Sequence, residues 1–255
     1  MKIKINPADK DLYLKVINES TEKQDMLNAR LNPDWKSQGW AYYRAAWTEM
    51  AEAIGHLNWM WWKTGKYNEQ PSHPERQQLH LELADIYHFG LSMNILNTPD
   101  ASTAEFLAFR QYSTFCAHSE GAEQSTIEDL AQYMEVFVVQ TIRKEEFEID
   151  TFAGLCTACG LSLANLLALY SAKQTLNKFR WNNGYNLPKG DPHGYVKMWA
   201  STQDPKVTVE DNVHLSEIVF GLTPHMTESG LLSFVSEGKW EDAIMDELSA
   251  RYSAT

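Results

Sequence analysis

The chain has 255 residues, of which 44% are hydrophobic and 12% aromatic, and its formal net charge is −12. This length and composition indicate a globular protein with a sizeable core, and we predict a single domain over residues 1–255. The acidic balance argues against a nucleic-acid polymer as partner, because such polymers bind to basic surfaces. No apolar run approaches the ~20 residues of a membrane span, so we expect no membrane partner. The three cysteines form no even disulfide framework, which favours a cytoplasmic protein.

Helical periodicity in the first hundred residues predicts three helices. The first covers the teens and twenties and ends before the Asn-Pro pair at residues 32–33. The second runs over about 39–65, with a glycine near each end as ordinary punctuation. A polar loop follows, and the third helix covers about 74–97.

The rest of the chain also reads as helical. Residues 101–148 resemble a helical insertion, with one segment after Thr103 and another after Ser125. The sequence from Ser125 to Glu128 matches a capping box. A long apolar helix is predicted over about 151–179, then a loop that contains glycine and proline, then shorter helices. Since no strand-like alternation persists, we predict an all-α fold.

Four acidic residues form two pairs on the second and third predicted helices. Glu49 and Glu52 are spaced i, i+3, and Glu82 and Asp85 repeat that spacing. Each pair therefore shares one helix face, with side chains about 60° apart. Apolar neighbours surround both pairs, which indicates that the acids face inward. If the two helices pack antiparallel, the carboxylates meet in a core, where they need bound cations. Oxygen-only ligands favour Mg²⁺ or Mn²⁺.

Five elements, in order from residue 24 to residue 212, resemble the dimeric dUTPases, a family of all-α nucleoside triphosphate pyrophosphatases related to MazG. The elements are QDMLN at 24–28, the two acidic pairs, WMWWK at 59–63, KQTLNKFR with NGY at 173–185, and Lys197 with EDN at 210–212. Two departures stand out, because Met60 replaces a lysine of the family pattern and Gln174 replaces an asparagine. Neither departure affects the four acids.

The resemblance implies a helical bundle in which two antiparallel helices bind metal. It implies Mg²⁺-dependent hydrolysis of dUTP to dUMP and pyrophosphate, which limits uracil in DNA and supplies dUMP, with dUDP as a further candidate substrate. It also implies a homodimer, and two or three Mg²⁺ ions for which Mn²⁺ can substitute. The implied catalytic and metal-binding residues are Glu49, Glu52, Glu82 and Asp85. Either Glu49 or Glu52 would accept the proton of the attacking water.

The substrate contacts implied by the resemblance agree with the chemistry of a nucleotide. Phosphates need cations, uracil needs amides that donate and accept, and the base and sugar need aromatic walls. The cations are Lys63, Lys173, Arg180 and Lys197; the amides are Gln24, Asn28 and Asn177; the aromatic residues are Trp61, Phe89 and Tyr185; and Asp211 and Asn212 complete the set.

Three alternatives stay open at this point. The enzyme could be a broader pyrophosphatase that also accepts dCTP, because an amide side chain can flip to suit cytosine. A di-iron carboxylate protein would use the Asp-x-x-His spacings at Asp85–His88 and Asp211–His214, although true Glu-x-x-His is absent. A binding module with a degenerate site is the third, and the four intact acids argue against it.

Overall fold

The computed structural model describes residues 5–63, 65, 69–98, 100–119 and 125–253. Within these ranges the chain forms ten α-helices and one two-stranded antiparallel sheet, so the all-α prediction is confirmed. The elements are α1 (Lys10–Leu31), α2 (Tyr42–Gly55), α3 (His73–Leu96), α4 (Ala101–Ser119), α5 (Ile127–Lys144), α6 (Ile149–Ala158), α7 (Leu163–Asn182), β1 (Met198–Ala200), β2 (Thr208–Glu210), α8 (Asp211–Leu222), α9 (Glu228–Ser236) and α10 (Lys239–Tyr252).

Helices α3 and α7 form the centre of the molecule. Helix α3 packs against α1, α2, α7 and α8, and α7 packs against α1, α3, α8, α9 and α10. Both helices are buried on nearly every side, as expected for helices that other helices surround. Several polar and charged side chains on α3 and α7, Glu82 and Lys173 among them, therefore lie inside the protein, where each needs a partner.

Helices α2 and α3 run antiparallel. At one end the ring of Tyr42 lies 6.4 Å from that of Phe89, and at the other His56 Nε2 lies 3.6 Å from Glu82 Oε1. Helix α3 begins with a capping box, in which Ser72 and Glu75 satisfy each other's backbone N–H groups. This pairing brings the two acidic pairs of the sequence to facing positions.

Helix α2 is shorter than the predicted span of 39–65, because it ends at Gly55. After this residue the chain turns inward, since Leu57 is buried and the Asn58 side chain donates a hydrogen bond to the carbonyl oxygen of Glu69 at 3.0 Å. The tryptophan-rich segment therefore forms turns instead of a helical extension. Residue 64 of the predicted span lies outside the described residues.

The prediction of one continuous helix over 151–179 is wrong, because α6 and α7 are separate helices with a bend of 100° between them. The break contains Gly160, whose φ of +77° is a left-handed conformation that favours glycine, and Ser162 then caps α7. Among the described residues, no single helix is long and apolar enough to cross a membrane. Helices α6 and α7 together could do so by length and composition only.

Two smaller features also differ from the sequence predictions. The capping box of α5 is formed by Thr126 and Asp129, one residue later than predicted. Strands β1 and β2 were not predicted, because three residues each are too few for a visible alternation. The two strands pair antiparallel, with Met198 opposite Glu210.

Helices α4 and α5 occupy the segment that the sequence marked as an insertion. Helix α4 packs against α1 and α6, and α5 packs against α2 and α6. Both segments are helical as predicted. That residues 101–148 are an insertion into a single domain stays a prediction.

Candidate functional site

Three carboxylates form a cluster where α2 faces α3. Glu49, Glu82 and Asp85 each offer one oxygen, and these oxygens all lie within 4.8 Å of one another. Burial, and next the negative charges of Asp85, Glu52 and Glu82, raise the pKa of Glu49 to about 7. The cluster thus carries more negative charge than its surroundings neutralise, which is the electrostatic condition for a cation site.

Glu52, predicted as the fourth acid of this set, is exposed and does not belong to the cluster that the described residues form. Its charge still raises the pKa of Glu49, so it lies near the cluster. The offset of about 60° between residues i and i+3 explains the difference. Glu49 lies toward α3, while Glu52 lies at the solvent side of α2.

Lys173 on α7 is a counter-ion for the cluster. Its Nζ atom lies 2.6 Å from Asp85 Oδ2 and donates a hydrogen bond to Asn212 Oδ1 at 3.1 Å. Only 3% of Lys173 is exposed, so its charge acts in a poorly solvated environment. One lysine cannot neutralise three carboxylates.

A second charged group lies on α7 and α8 and is internally paired. Arg180 Nε and Nη2 each donate to a different oxygen of Asp211, both at 2.8 Å, and Tyr195 Oη donates to Asp211 at 2.8 Å. Arg180 Nη1 also donates to Asn177 Oδ1 at 3.1 Å. Burial alone would raise the pKa of Asp211, but the hydrogen bonds and charge of Arg180 lower it. This bidentate pair fixes the plane of the Arg180 guanidinium.

The two charged groups border one cavity of about 440 Å³, a volume within the range of small-molecule sites. The cavity is lined by nine of the residues that the sequence analysis predicted: Gln24, Asn28, Glu49, Asp85, Phe89, Lys173, Asn177, Arg180 and Tyr185. Asp211 and Asn212 support the wall through their bonds to Arg180 and Lys173. The fold therefore gathers two of the acids, two of the predicted cations, the amides and two aromatic rings around one space.

Tyr185 reaches the cavity through a tight turn after α7. Gly184 has φ of +89°, and a Cβ at this position would lie 2.3 Å from the backbone oxygen of His193. A residue other than glycine therefore does not fit. The turn places the Tyr185 ring 6.0 Å from the Arg180 guanidinium and 5.8 Å from Lys197 Nζ.

Besides Asp211 and Asn212, three predicted substrate contacts are absent from the residues that line the cavity. Trp61 is 68% exposed and packs edge-on against Trp62, and Lys63 is exposed beside them. Lys197 is exposed, and it contacts the site through the ring of Tyr185 and through its carbonyl oxygen, which accepts from the backbone N–H of Asp211 at 2.9 Å.

Two residues of α3 at the cavity, His88 in its lining and Ser92 behind it, were not predicted as part of a nucleotide site. With Asp85 they occupy positions i, i+3 and i+7 on one face of α3, and that spacing was a readable signal. His88 Nδ1 lies 2.9 Å from Gln24 Oε1, while its Nε2 atom is buried without a partner among the described residues. Burial lowers the pKa of His88 to about 4, so the ring is neutral near pH 7.

The same contacts remove the support for a di-iron site. His88 is directed at Gln24, and His214 packs on Trp199 with ring centroids 5.1 Å apart. Neither histidine belongs to the carboxylate cluster that the described residues form. Asp211, the other acid of that hypothesis, is occupied by Arg180.

Comparison with known proteins identifies the family. The helical fold and the carboxylate cluster beside a cavity with cationic residues are those of a nucleotide-hydrolysing enzyme. A family model described as dUTPase matches residues 16–185, two thirds of the chain. The chain therefore belongs to the all-α dUTPase family, and the resemblance seen in the sequence is confirmed. No curated protein sequence matches the chain significantly.

Family membership supports a dUTP diphosphatase type of function, in general terms a nucleotide pyrophosphatase. It also implies a small nucleotide as substrate and no polymer partner. The matched range includes both acid-bearing helices and all of α7. Lys197 and the segment 210–212 lie beyond it, and their assignment depends on the sequence resemblance and their contacts.

Proposed function

We propose that this protein is a Mg²⁺-dependent dUTP pyrophosphatase that releases dUMP and pyrophosphate, with dUDP as a second substrate. The observation that carries the proposal is the set of three carboxylates within 4.8 Å of one another, two of which border a cavity that Lys173 and Arg180 also line. A nucleoside triphosphate needs this combination, because its phosphates require both metal ions and fixed cations.

The donor set suits a hard divalent cation. All three ligand atoms are carboxylate oxygens, which favours Mg²⁺, with Mn²⁺ as a substitute, over zinc or copper. When bound, the metal would neutralise phosphate charge and lower the pKa of a coordinated water. We propose two or three ions, with Glu52 completing the ligand set of Glu49, Glu82 and Asp85.

The chain's own residues would then bind and orient the nucleotide. Lys173 and Arg180 would neutralise phosphate oxygens, and the pair with Asp211 holds Arg180 in one orientation for this purpose. A carboxylate oxygen of Glu49 or Glu52 would accept the proton that the attacking water loses.

Recognition of the base would use the amide side of the cavity. Asn28 and Asn177 present donors and acceptors there, and Phe89 and Tyr185 provide aromatic walls. Trp61 and Lys63 lie away from the cavity, and we leave them out of the proposed contacts.

The test is pyrophosphate release from dUTP, dCTP, dTTP, dATP, dGTP and UTP, each with Mg²⁺, Mn²⁺ or EDTA. Phosphate release from dUDP is measured in parallel. We expect turnover of dUTP with either metal and none with EDTA. Turnover that survives EDTA would contradict the metal assignment, and equal turnover of dCTP would favour the broader pyrophosphatase.

We also propose a cytoplasmic homodimer. The apolar residues of α3 are used inside this chain, but α5 exposes a row of apolar side chains: Tyr133, Val136, Val139 and Ile142. Such a row is consistent with a surface that a second copy covers. Light scattering on the purified protein would test the dimer, and Val139→Glu is expected to shift it toward the monomer.

A further inference from the structure

A buried network of hydrogen bonds forms the amide side of the cavity, and two backbone carbonyl oxygens anchor it. Its centre is Asn28, which is 5% exposed and lines the cavity. Asn28 Nδ2 donates to Ser92 Oγ at 2.9 Å, and Asn28 Oδ1 accepts from Gln24 Nε2 at 3.2 Å. The orientation of the Asn28 amide therefore depends on what Ser92 and Gln24 can offer.

The first anchor of the network is a backbone carbonyl in α3. Ser92 Oγ donates its single hydrogen to the carbonyl oxygen of His88 at 3.1 Å. Its remaining capacity is two lone pairs, which accept from Asn28 Nδ2 and from Gln24 Nε2 at 3.1 Å. Because a carbonyl oxygen only accepts, Ser92 can face Asn28 only as an acceptor while this bond holds.

The second anchor is a backbone carbonyl in α1. Tyr170 Oη lies 2.7 Å from the carbonyl oxygen of Ser20 and 3.2 Å from Gln24 Oε1, both acceptors, and it accepts from Gln174 Nε2 at 2.7 Å whichever of them takes its hydrogen. Gln174 Nε2 also lies 3.2 Å from Gln24 Oε1. The same oxygen lies 2.9 Å from His88 Nδ1. Gln24 thus turns its oxygen to these donors and its nitrogen to Asn28.

Both anchors impose the same orientation on Asn28. After its bonds to Ser92 and Gln24, one N–H and one oxygen lone pair of the Asn28 amide are left, and no further partner for them occurs in the described part of the chain. Both N–H bonds of the Gln24 amide are used within the network. Asn28 is therefore the amide that can form hydrogen bonds to a base, and Gln24 holds the Asn28 amide in position.

We propose that Ser92 and the Tyr170–Gln174 pair lock the Asn28 amide in the orientation that selects uracil over cytosine. This inference rests on the proposed function, since it assumes that a pyrimidine occupies the cavity. Asn28 Oδ1 accepts the N3–H of uracil, and Asn28 Nδ2 donates to a neighbouring carbonyl oxygen of the base. Cytosine has a lone pair at N3, so the locked Oδ1 meets another acceptor and the hydrogen bond is lost.

The lock also gives Gln174 a role. This residue departs from the asparagine of the family pattern, and in the structure its amide connects the Tyr170 hydroxyl with Gln24. Tyr170, Gln174 and Ser92 are positioning residues, because they act through Asn28. They close the route by which a freely rotating amide would accommodate cytosine.

The test compares a variant that removes both anchors with a matched control. Ser92→Ala combined with Tyr170→Phe deletes the two hydroxyl groups that fix the network. The control combines Ser171→Ala with Tyr87→Phe, whose buried hydroxyls bond to Glu241 and Gln111 outside the network. For each protein, kcat/KM is measured for dUTP, dCTP and dTTP, with folding checked by circular dichroism.

We expect the dUTP-to-dCTP ratio of kcat/KM to fall at least about tenfold in the double anchor variant. The ratio of dTTP to dUTP should stay constant, because thymine presents the same N3–H as uracil. The control should keep both ratios. Each single anchor variant should give a smaller shift in the same direction, because the other anchor still holds the amide. The single variants therefore decide the question if the double variant does not fold.

An unchanged dUTP-to-dCTP ratio in the anchor variants, or an equal change in the control, would overturn the inference. So would a wild type that turns over dCTP as well as dUTP. Calorimetric titration with dUMP and dCMP separates this inference from the proposed function. Absence of hydrolysis with dUMP still preferred would sink only the proposed reaction, whereas absence of that preference would overturn the lock.

Discussion

The two charged groups beside the cavity differ in how completely the protein satisfies them. On α7 and α8, Arg180 and Asp211 form a bidentate pair that Tyr195 completes. On α2 and α3, Glu49 and Glu82 have no equivalent partner in the described part of the chain, since His56 Nε2 is 3.6 Å from Glu82 and Lys173 pairs with Asp85. The pKa of Asp211 is accordingly lowered, while that of Glu49 is raised to about 7.

This difference separates structure from function. Asp211 offsets the charge of Arg180 and holds its guanidinium in one plane, while Nη1, which donates to Asn177 alone among the described residues, keeps an N–H for a phosphate oxygen. A carboxylate cluster with excess charge is unstable by itself and becomes stable when a cation binds. Substitution of Asp211 should therefore act mainly on folding, and substitutions in the carboxylate cluster mainly on metal binding and catalysis.

The largest effect is expected from Glu82→Gln in the carboxylate cluster. Loss of one charged ligand should lower kcat/KM for dUTP at least about a hundredfold, because the metal then binds and polarises poorly. Steady-state kinetics at saturating Mg²⁺ measures it. Glu135→Gln on the exposed side of α5 should have no effect, and Glu52→Gln should cost less than Glu82→Gln. Equal losses for Glu52 and Glu82 would contradict the separation of Glu52 from the cluster.

Asp211→Asn should affect folding most strongly. It leaves Arg180 buried without its counter-ion, and we expect a loss of about 3 kcal/mol in the free energy of unfolding, measured by urea denaturation. The matched control is Glu217→Gln, which breaks the more exposed pair with Arg251 and should cost less than about 1 kcal/mol. If both variants lost the same stability, the bidentate pair of Arg180 and Asp211 would contribute no more to folding than an exposed ion pair.

Lys173→Met should give a smaller effect, which lowers kcat/KM but raises Mg²⁺ affinity, because Lys173 contacts both charged groups. We expect kcat/KM for dUTP to fall about tenfold, a loss typical of a supporting contact. Mg²⁺ affinity without nucleotide should rise, since Asp85 loses its counter-ion. Calorimetric titration with Mg²⁺ measures the second quantity, and the exposed Lys178→Met on the same helix is the control. Weaker Mg²⁺ binding would argue that Lys173 organises the cluster instead of competing for it.

The smallest effect is expected in the pH dependence of the stability of the metal-free protein. Because the folded-state pKa of Glu49 is raised from 4.5 to about 7, folding binds a proton in this interval. The contribution of Glu49 to stability therefore falls as pH rises from about 4.5 to about 7 and is constant above. Buried His80 and His88, whose pKa values are lowered, act in the opposite direction.

The measurement is thus a difference in melting temperature between wild type and Glu49→Gln. Glu49→Gln should gain stability relative to wild type between pH 5 and pH 8, by a few degrees. Saturating Mg²⁺ should raise the melting temperature of wild type more at pH 8 than at pH 5. A difference that did not change with pH would show that the cluster is not short of positive charge.

How far the sequence predicts the fold can be judged from individual elements. Helices α1 and α3 were placed correctly, because an Asn-Pro pair after α1 and Pro74 at the start of α3 are signals that act locally. The break between α6 and α7 was missed because both helices are apolar throughout, and only the backbone at Gly160 marks the bend. The early end of α2 was missed because it depends on Leu57 and Asn58 turning toward distant residues.

The sequence by itself determined the family, the all-α fold and the acids at i, i+3 spacing, because helical periodicity and short motifs are local properties of the chain. Only the tertiary structure decided which groups meet. It joined Glu49 to α3 and left Glu52 outside, and it paired Arg180 with Asp211, which removed that acid from the available ligands. It also fixed the Asn28 amide through residues up to 150 positions apart, Ser20 with Tyr170 and Gln24 with Gln174. Hydrogen-bond direction and charge balance depend on every neighbour in space, and the neighbours are set by packing.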